Sequence, residues 1–188
     1  MLVESRAEWR RWLETNHDAS PGIWLVRWKK TSGRPHVTYA DVVEEALCFG
    51  RIDSHARAID DERAALTMTP RKRGSGWSKV NKERIERMEA ADLMTPSGRA
   101  LIDQAKQDGS WAKLDAVERL EEPEDLRVAL DGVPDARRHW DGFPPSAKRA
   151  ILEWIGSAKT AATRDKRVAQ TAREAGQNIR ANQWRPQR

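Results

Sequence analysis

Apolar positions recur along this chain with two periods, and the change of period marks where helix gives way to strand. Trp9, Trp12 and Leu13 fall on one helical face, behind Ser5 and Glu8 at capping-box spacing. That pattern predicts a short amphipathic helix ending near Asn16. After the Pro21-Gly22 turn the period drops to two. Trp24, Val26 and Trp28 alternate with Ile23, Leu25 and Arg27, which predicts a strand over 23–30. Residues 31–35 read as a loop. Thr38 then caps a second helix with Asp41 at its third position, Val42, Val43, Ala46 and Leu47 inward, and Gly50 just past its end. Residues 51–59 and 63–69 form two further strands around the acidic turn Asp60-Asp61-Glu62.

Only the helical period continues beyond this point. Ser78 caps a helix reaching about residue 91, and Thr95-Pro96 opens one that runs to Asp108 and stops at Gly109. Pro123 and Pro134 each open a short helix. Phe143-Pro144-Pro145-Ser146 opens a stronger one, with Ala147, Ala150, Ile151, Trp154, Ile155 and Ala158 in a stripe. The stretch 163–184 places Val168, Ala172, Ala175 and Ile179 on one face, as a docked helix or a basic tail. The expected fold class is α+β: a small antiparallel sheet with flanking helices, followed by a helical C-terminal half. The boundary falls at Glu121-Glu122-Pro123, giving a mixed lobe at 1–121 and a helical region with a basic end at 122–188.

Composition narrows the functional classes. At 38% apolar and 34% charged residues, the chain has no apolar run long enough to cross a bilayer, so no membrane insertion is expected. Its start has no basic segment followed by an apolar stretch, so a cytoplasmic location is expected. The single Cys48 excludes an intramolecular disulfide and a thiol-rich metal site. Its neighbours Leu47 and Phe49 mark it as a buried, inert thiol. His17, His36, His55 and His139 are isolated, so neither a metal site nor a cofactor is expected. The net charge is +5, unevenly spread. Seven Lys/Arg stand against two Glu between Arg71 and Arg87, and eight stand against Asp165 and Glu174 between Lys159 and Arg188. Nine tryptophans are scattered without a repeat, as core anchors for the most part, with Trp77 set apart by its cationic surroundings.

The chemistry concentrates in two segments. In Thr69-Pro70-Arg71-Lys72-Arg73-Gly74-Ser75-Gly76-Trp77-Ser78-Lys79-Val80-Asn81, three cations precede a glycine-freed backbone, a Trp and a helix start. Guanidinium groups can grip anionic oxygens in pairs, and a helix N-terminus favours negative charge. The glycine spacing matches neither the nucleotide-hydrolase loop nor the dinucleotide fingerprint. In Gly50-Arg51-Ile52-Asp53-Ser54-His55, strand alternation puts Arg51, Asp53 and His55 on one face. Together they predict a cationic, Trp-lined cleft for an anionic small molecule, built from Arg51, Asp53, Ser54, Arg71, Arg73, Trp77, Ser78, Lys79 and Asn81. Nucleic acid is the alternative partner, with Trp77 stacking on a base. An enzyme using Asp53 or His55, of unassigned reaction class, is the third reading. Lys159, Arg164 and Arg167 form a second basic group.

Leu47-Cys48-Phe49-Gly50-Arg51-Ile52-Asp53-Ser54, Thr69-Pro70-Arg71 and Ser75-Gly76-Trp77-Ser78-Lys79-Val80-Asn81 resemble, in order and spacing, the bacterial YdeI/OmpD-associated proteins, also called bacteriocin-protection proteins. Trp154-Ile155-Gly156-Ser157-Ala158-Lys159 with Thr163-Arg164 and Arg167 is similar to the family's C-terminal signature. Trp9, Trp12, Leu13 and Gly22-Ile23-Trp24-Leu25 match as well, as do Met94 with Gly98, and Ala105-Lys106 with Asp108-Gly109 and Trp111. The family pattern has Trp where this chain has Arg51. The resemblance implies a stress- or peptide-resistance protein, and porin association through the family name alone.

Overall fold

In a computed structural model of the chain, residues 1–183 are described, and they divide into two compact units, Met1–Lys113 and Leu114–Arg188. The end of the expected final helix, Trp184, lies outside the described residues.

The first unit joins a four-stranded sheet to four helices. Helix α1 (Arg6–Asn16) starts where the Ser5 hydroxyl accepts the Glu8 N–H. Helix α2 (Tyr39–Cys48) has a complete Thr38–Asp41 capping box. At α3 (Lys79–Ala90) and α4 (Pro96–Gln107) the Ser78 and Thr95 hydroxyls accept the Asn81 and Gly98 N–H groups. Each cap occupies a backbone N–H that the first turn leaves unpaired.

The strands are β1 (Leu2–Val3), β2 (Ile23–Trp28), β3 (Arg51–Ala58) and β4 (Arg63–Pro70), in the order β1-β2-β4-β3. The β2–β4 and β3–β4 pairs are antiparallel, as expected. The short β1 adds a parallel edge against Val26 and Arg27, so the sheet is mixed rather than wholly antiparallel. In β3 the register slips between Asp53 and Ala56. Such a bulge frees Ser54 and His55 from the ladder and ends the simple alternation beyond Asp53.

The core lies between one sheet face and the helices. Val3, Leu25 and Met68 meet Trp9 and Leu13 of α1, Val42 and Val43 of α2, Ile85 of α3 and Ile102 of α4. Buried Trp9 keeps its indole N–H satisfied by the Val42 carbonyl at 3.0 Å. On the other sheet face Trp24 is 38% exposed, with the Arg57 guanidinium 4.1 Å from its ring centre. Trp28 shares that face and is half-buried, so this strand buries neither tryptophan.

An ionic seam ties α1 to α2. Glu45, 2% exposed, accepts from Arg6 Nε at 2.6 Å and Arg10 Nη1 at 2.8 Å. Glu44 accepts from Arg6 and from Arg87 of α3. Two acids on the inward face of α2 are affordable only because three arginines reach them.

The second unit is helical: α5 (Asp115–Glu118), α6 (Glu124–Asp131), α7 (Ala136–Asp141), α8 (Pro145–Gly156) and α9 (Ala161–Gly176). The one-turn α5 was not foreseen. Pro134 does not itself open α7, because Asp135 turns left-handed at φ 61° before the helix begins. Helix α9 ends at Gly176, short of the expected stretch. Leu126, Leu130, Trp140, Ile151, Ile155 and Ala172 form its core, and Glu122 accepts the Trp140 indole N–H at 2.7 Å. Among the described residues no helix is long and apolar enough to cross a membrane.

Candidate functional site

Strand β4 ends at Pro70, and the chain turns at once. Gly50 holds Arg71 through a backbone bond at 3.0 Å. Ser75 closes the turn by donating both its N–H and its hydroxyl to the Lys72 carbonyl. Gly74 takes φ +72°, a region that glycine enters without steric cost.

The Arg71 guanidinium lies flat on Trp77, 3.7 Å from the ring centre, and donates from Nη2 to the Gly76 carbonyl at 2.5 Å. Its Nε is buried without a hydrogen-bond partner. No carboxylate pairs with it among the described residues. Burial without a counter-charge pushes its pKa down to about 10. Gln104, on α4, presents a second buried, partnerless donor through Nε2.

Both side chains line one cavity, together with Lys72, Arg73, Trp77 and Ser110. Its free volume is about 10 Å³ for the centre of a water-sized sphere, room for one small particle. Asp108 also lines it, and supplies the opposing charge. Ser110 holds its carboxyl below the usual range, its backbone N–H donating to Oδ1 at 2.9 Å, helped by Arg73 and Lys113. Three partnerless polar atoms, Arg71 Nε, Gln104 Nε2 and Ser110 Oγ, belong to residues lining this one small space, and with the Arg71 charge they can hold an anion or a single oxygen of a larger one.

The predicted residues separate into three groups. Arg71, Arg73 and Trp77 meet at this cavity, but Arg51, Asp53, Ser54, Ser78, Lys79 and Asn81 do not line it. Trp77 is only 3% exposed, so it backs Arg71 and packs against Trp111, with ring centres 5.2 Å apart, rather than offering an open face. Arg51 points inward and is 1% exposed. Its Nη1 donates to the His17 and Ser20 carbonyls at 2.8 and 2.9 Å, and its Nη2 to the Met68 carbonyl at 3.3 Å. It therefore ties the chain after α1 to the sheet.

Asp53 belongs to a surface cluster. It accepts from the Tyr39 hydroxyl at 2.8 Å, and Arg84 lies over the Tyr39 ring while donating to Asn81 Oδ1 at 2.8 Å. Burial and then Asp53 push the Tyr39 hydroxyl pKa upward, so it stays a donor. Ser78 serves as the α3 cap, and exposed Lys79 sits 4.0 Å from Glu83. His55 is exposed and contacts the Ser54 hydroxyl at 3.3 Å. Nothing aligns Asp53 and His55 as an acid–base pair.

In the second unit, Arg164 holds Asp125 with two bonds of 2.6 and 2.9 Å. Arg167 donates to the Trp154 carbonyl and the Ser157 hydroxyl and covers the Trp154 ring. Both arginines are engaged locally, and Lys159 stays exposed in the α8–α9 connection. A depression of about 580 Å³ is lined by Leu130 and Val133 with Arg137 and Arg138, whose charges Glu122, Asp131 and Asp135 match. It lacks the uncompensated cation of the first unit.

Sequence reasoning missed Gln104, Ser110 and Lys113. The available cue was the group Ala105-Lys106, Asp108-Gly109 and Trp111, which brackets Gln104 and Ser110 without naming them. Residues 1–101 match the family described as a domain of unknown function (DUF8412), and residues 119–178 match the one described as Bacteriocin-protection, YdeI or OmpD-Associated. No curated protein and no solved structure matches the chain.

Proposed function

We propose that this chain, which belongs to the DUF8412 family and carries a YdeI/OmpD-associated segment after it, binds an anion at Arg71. One observation carries this reading: a half-buried arginine with no carboxylate partner and a buried, partnerless Nε, beside a second partnerless donor, at a cavity the size of one small particle. A desolvated cation is costly alone, and an anion that enters removes that cost. Arg71 supplies charge and Nε, Gln104 the second donor, and Trp77 a wall that fixes the guanidinium plane. The physiological setting proposed is cytoplasmic resistance to stress or antimicrobial peptides; of this, the description of the second family supports protection against bacteriocins alone.

Thermal unfolding of the full chain tests this in rising phosphate or chloride, with gluconate holding ionic strength. A ligand at about a hundred times its Kd stabilises the folded state by about 2.7 kcal/mol. That gain should vanish in Arg71→Met, which keeps the aliphatic packing on Trp77, and shrink in Gln104→Met. Equal stabilisation of all three proteins would reject the site.

A further inference from the structure

The cavity opens among cations that come from three separate stretches of the first unit. Lys72 and Arg73 line its rim on the turn after β4. Lys106 leaves the end of α4, with its ammonium 5.4 Å from the Trp111 ring centre. Lys113 reaches back to the Gly74 carbonyl at 3.2 Å, which places its ammonium over the same turn. None of these four forms an ion pair with a carboxylate among the described residues, in a protein whose other arginines are widely paired. Against them stands Asp108. Trp111, half-buried, packs against Trp77, which backs Arg71, and has the Lys82 and Lys106 ammonium groups 5.1 and 5.4 Å from its ring centre.

Charge of this kind is expensive to hold together. Cations gathered without ion-pair partners repel one another and are stabilised by an outside polyanion. The cavity adds a size filter. It admits one oxygen atom, so a phosphate group would insert one non-bridging oxygen between Arg71 and Gln104 and leave the rest at the rim. Phosphates on either side would then reach Lys106 and Lys113, or Lys72 and Arg73. An aromatic side chain among such cations is the combination that single strands use, because each exposed base has a π face to lay against it.

We propose that this surface binds single-stranded nucleic acid, with one backbone phosphate seated at Arg71 and neighbouring phosphates on Lys72, Arg73, Lys106 and Lys113. The proposal rests on the anion reading above and names its ligand class. Trp111, rather than buried Trp77, meets a base.

The test is fluorescence anisotropy of the full chain with a labelled oligo-dT of about 12 nucleotides, within the span such sites cover. Four to five phosphate contacts give a log–log salt slope of about −3 for a single strand, so tripling the salt should weaken binding about 25-fold. Lys72→Gln/Arg73→Gln/Lys106→Gln/Lys113→Gln, all on the surface, should lose more than tenfold in affinity and most of that slope. Polyglutamate at matched charge should compete poorly, since it offers no base. A slope near zero, an unchanged four-site variant, or displacement by polyglutamate as effective as by oligo-dT would each overturn the proposal. Anion-dependent stabilisation that persists in the four-site variant while oligo-dT fails to bind would sink the nucleic-acid reading alone. Loss of that stabilisation in the unmodified chain would sink the Arg71 site itself.

Discussion

Replacing Arg51 by Met separates an architectural arginine from Arg71, the one proposed to hold an anion. Met retains most of the aliphatic volume, so packing changes little. What disappears is three donated hydrogen bonds, to His17 and Ser20 at 2.8 and 2.9 Å and to Met68 at 3.3 Å. A buried carbonyl left without its donor costs about 1–3 kcal/mol. The His17 and Ser20 contacts are part-buried, which sets them near about 1 kcal/mol each, and the long Met68 bond adds a similar amount. Against this, the variant no longer buries a cation whose Nε has no partner, and about 1 kcal/mol returns. The expected net loss is about 2–3 kcal/mol, read from the urea midpoint of the full chain by tryptophan emission at unchanged slope. Arg51→Lys should lose nearly as much, because one ammonium cannot address carbonyls on two sides. Anion-dependent stabilisation should survive in both variants. A loss below about 0.5 kcal/mol, the range of an ordinary surface change, would refute the strut. Intact stability with abolished anion response would return Arg51 to the binding site.

Other outcomes follow from local geometry. A Cβ on Gly98 would stand 2.3 Å from the Cys48 carbonyl oxygen and 2.9 Å from that of Leu47, both backbone, so Gly98→Ala should drive α4 off α2 and cost more than about 2 kcal/mol in a urea melt. Burial, then Glu45, raises the Cys48 thiol to about 11, so it should resist a disulfide reagent at pH 8 in the folded chain and react once urea unfolds it. The same shift gives a stabilisation that is full below the unfolded thiol value near 8.5 and is lost as pH rises through about 11, which pH-dependent urea midpoints would show and Cys48→Ala would remove. Arg164 holds the Asp125 carboxyl below its ordinary range, so that contribution is present above about pH 4 and lost on acidification; Arg164→Gln should flatten the acid limb of the stability curve.

Local signals were the legible ones. Ser5, Thr38, Ser78 and Thr95 all cap the helices that their spacing indicates, because a cap is decided within four residues. Strand β1 is two residues long and exists only through its partner, so no periodicity could reveal it. Arg51 was assigned to a polar face with Asp53 and His55, but carbonyls from residues far back in the chain draw it inward and the bulge breaks the alternation after Asp53. The turn that reaches the cavity is legible in the sequence as Arg71, Arg73 and Trp77. Its complement, Gln104, arrives from a helix about thirty residues later, and only tertiary packing puts the two partnerless donors at one cavity. Trp77 was legible as a partner of the arginines, and its burial was not, since that depends on Trp111 closing over it.

The most direct measurement is anomalous diffraction from crystals of the full chain soaked in sodium bromide. A bromide peak at hydrogen-bonding distance from both Arg71 Nε and Gln104 Nε2, absent in Arg71→Met crystals, is the expected result. A cavity that holds only a water in high bromide, with the ion scattered over surface lysines, would contradict the account.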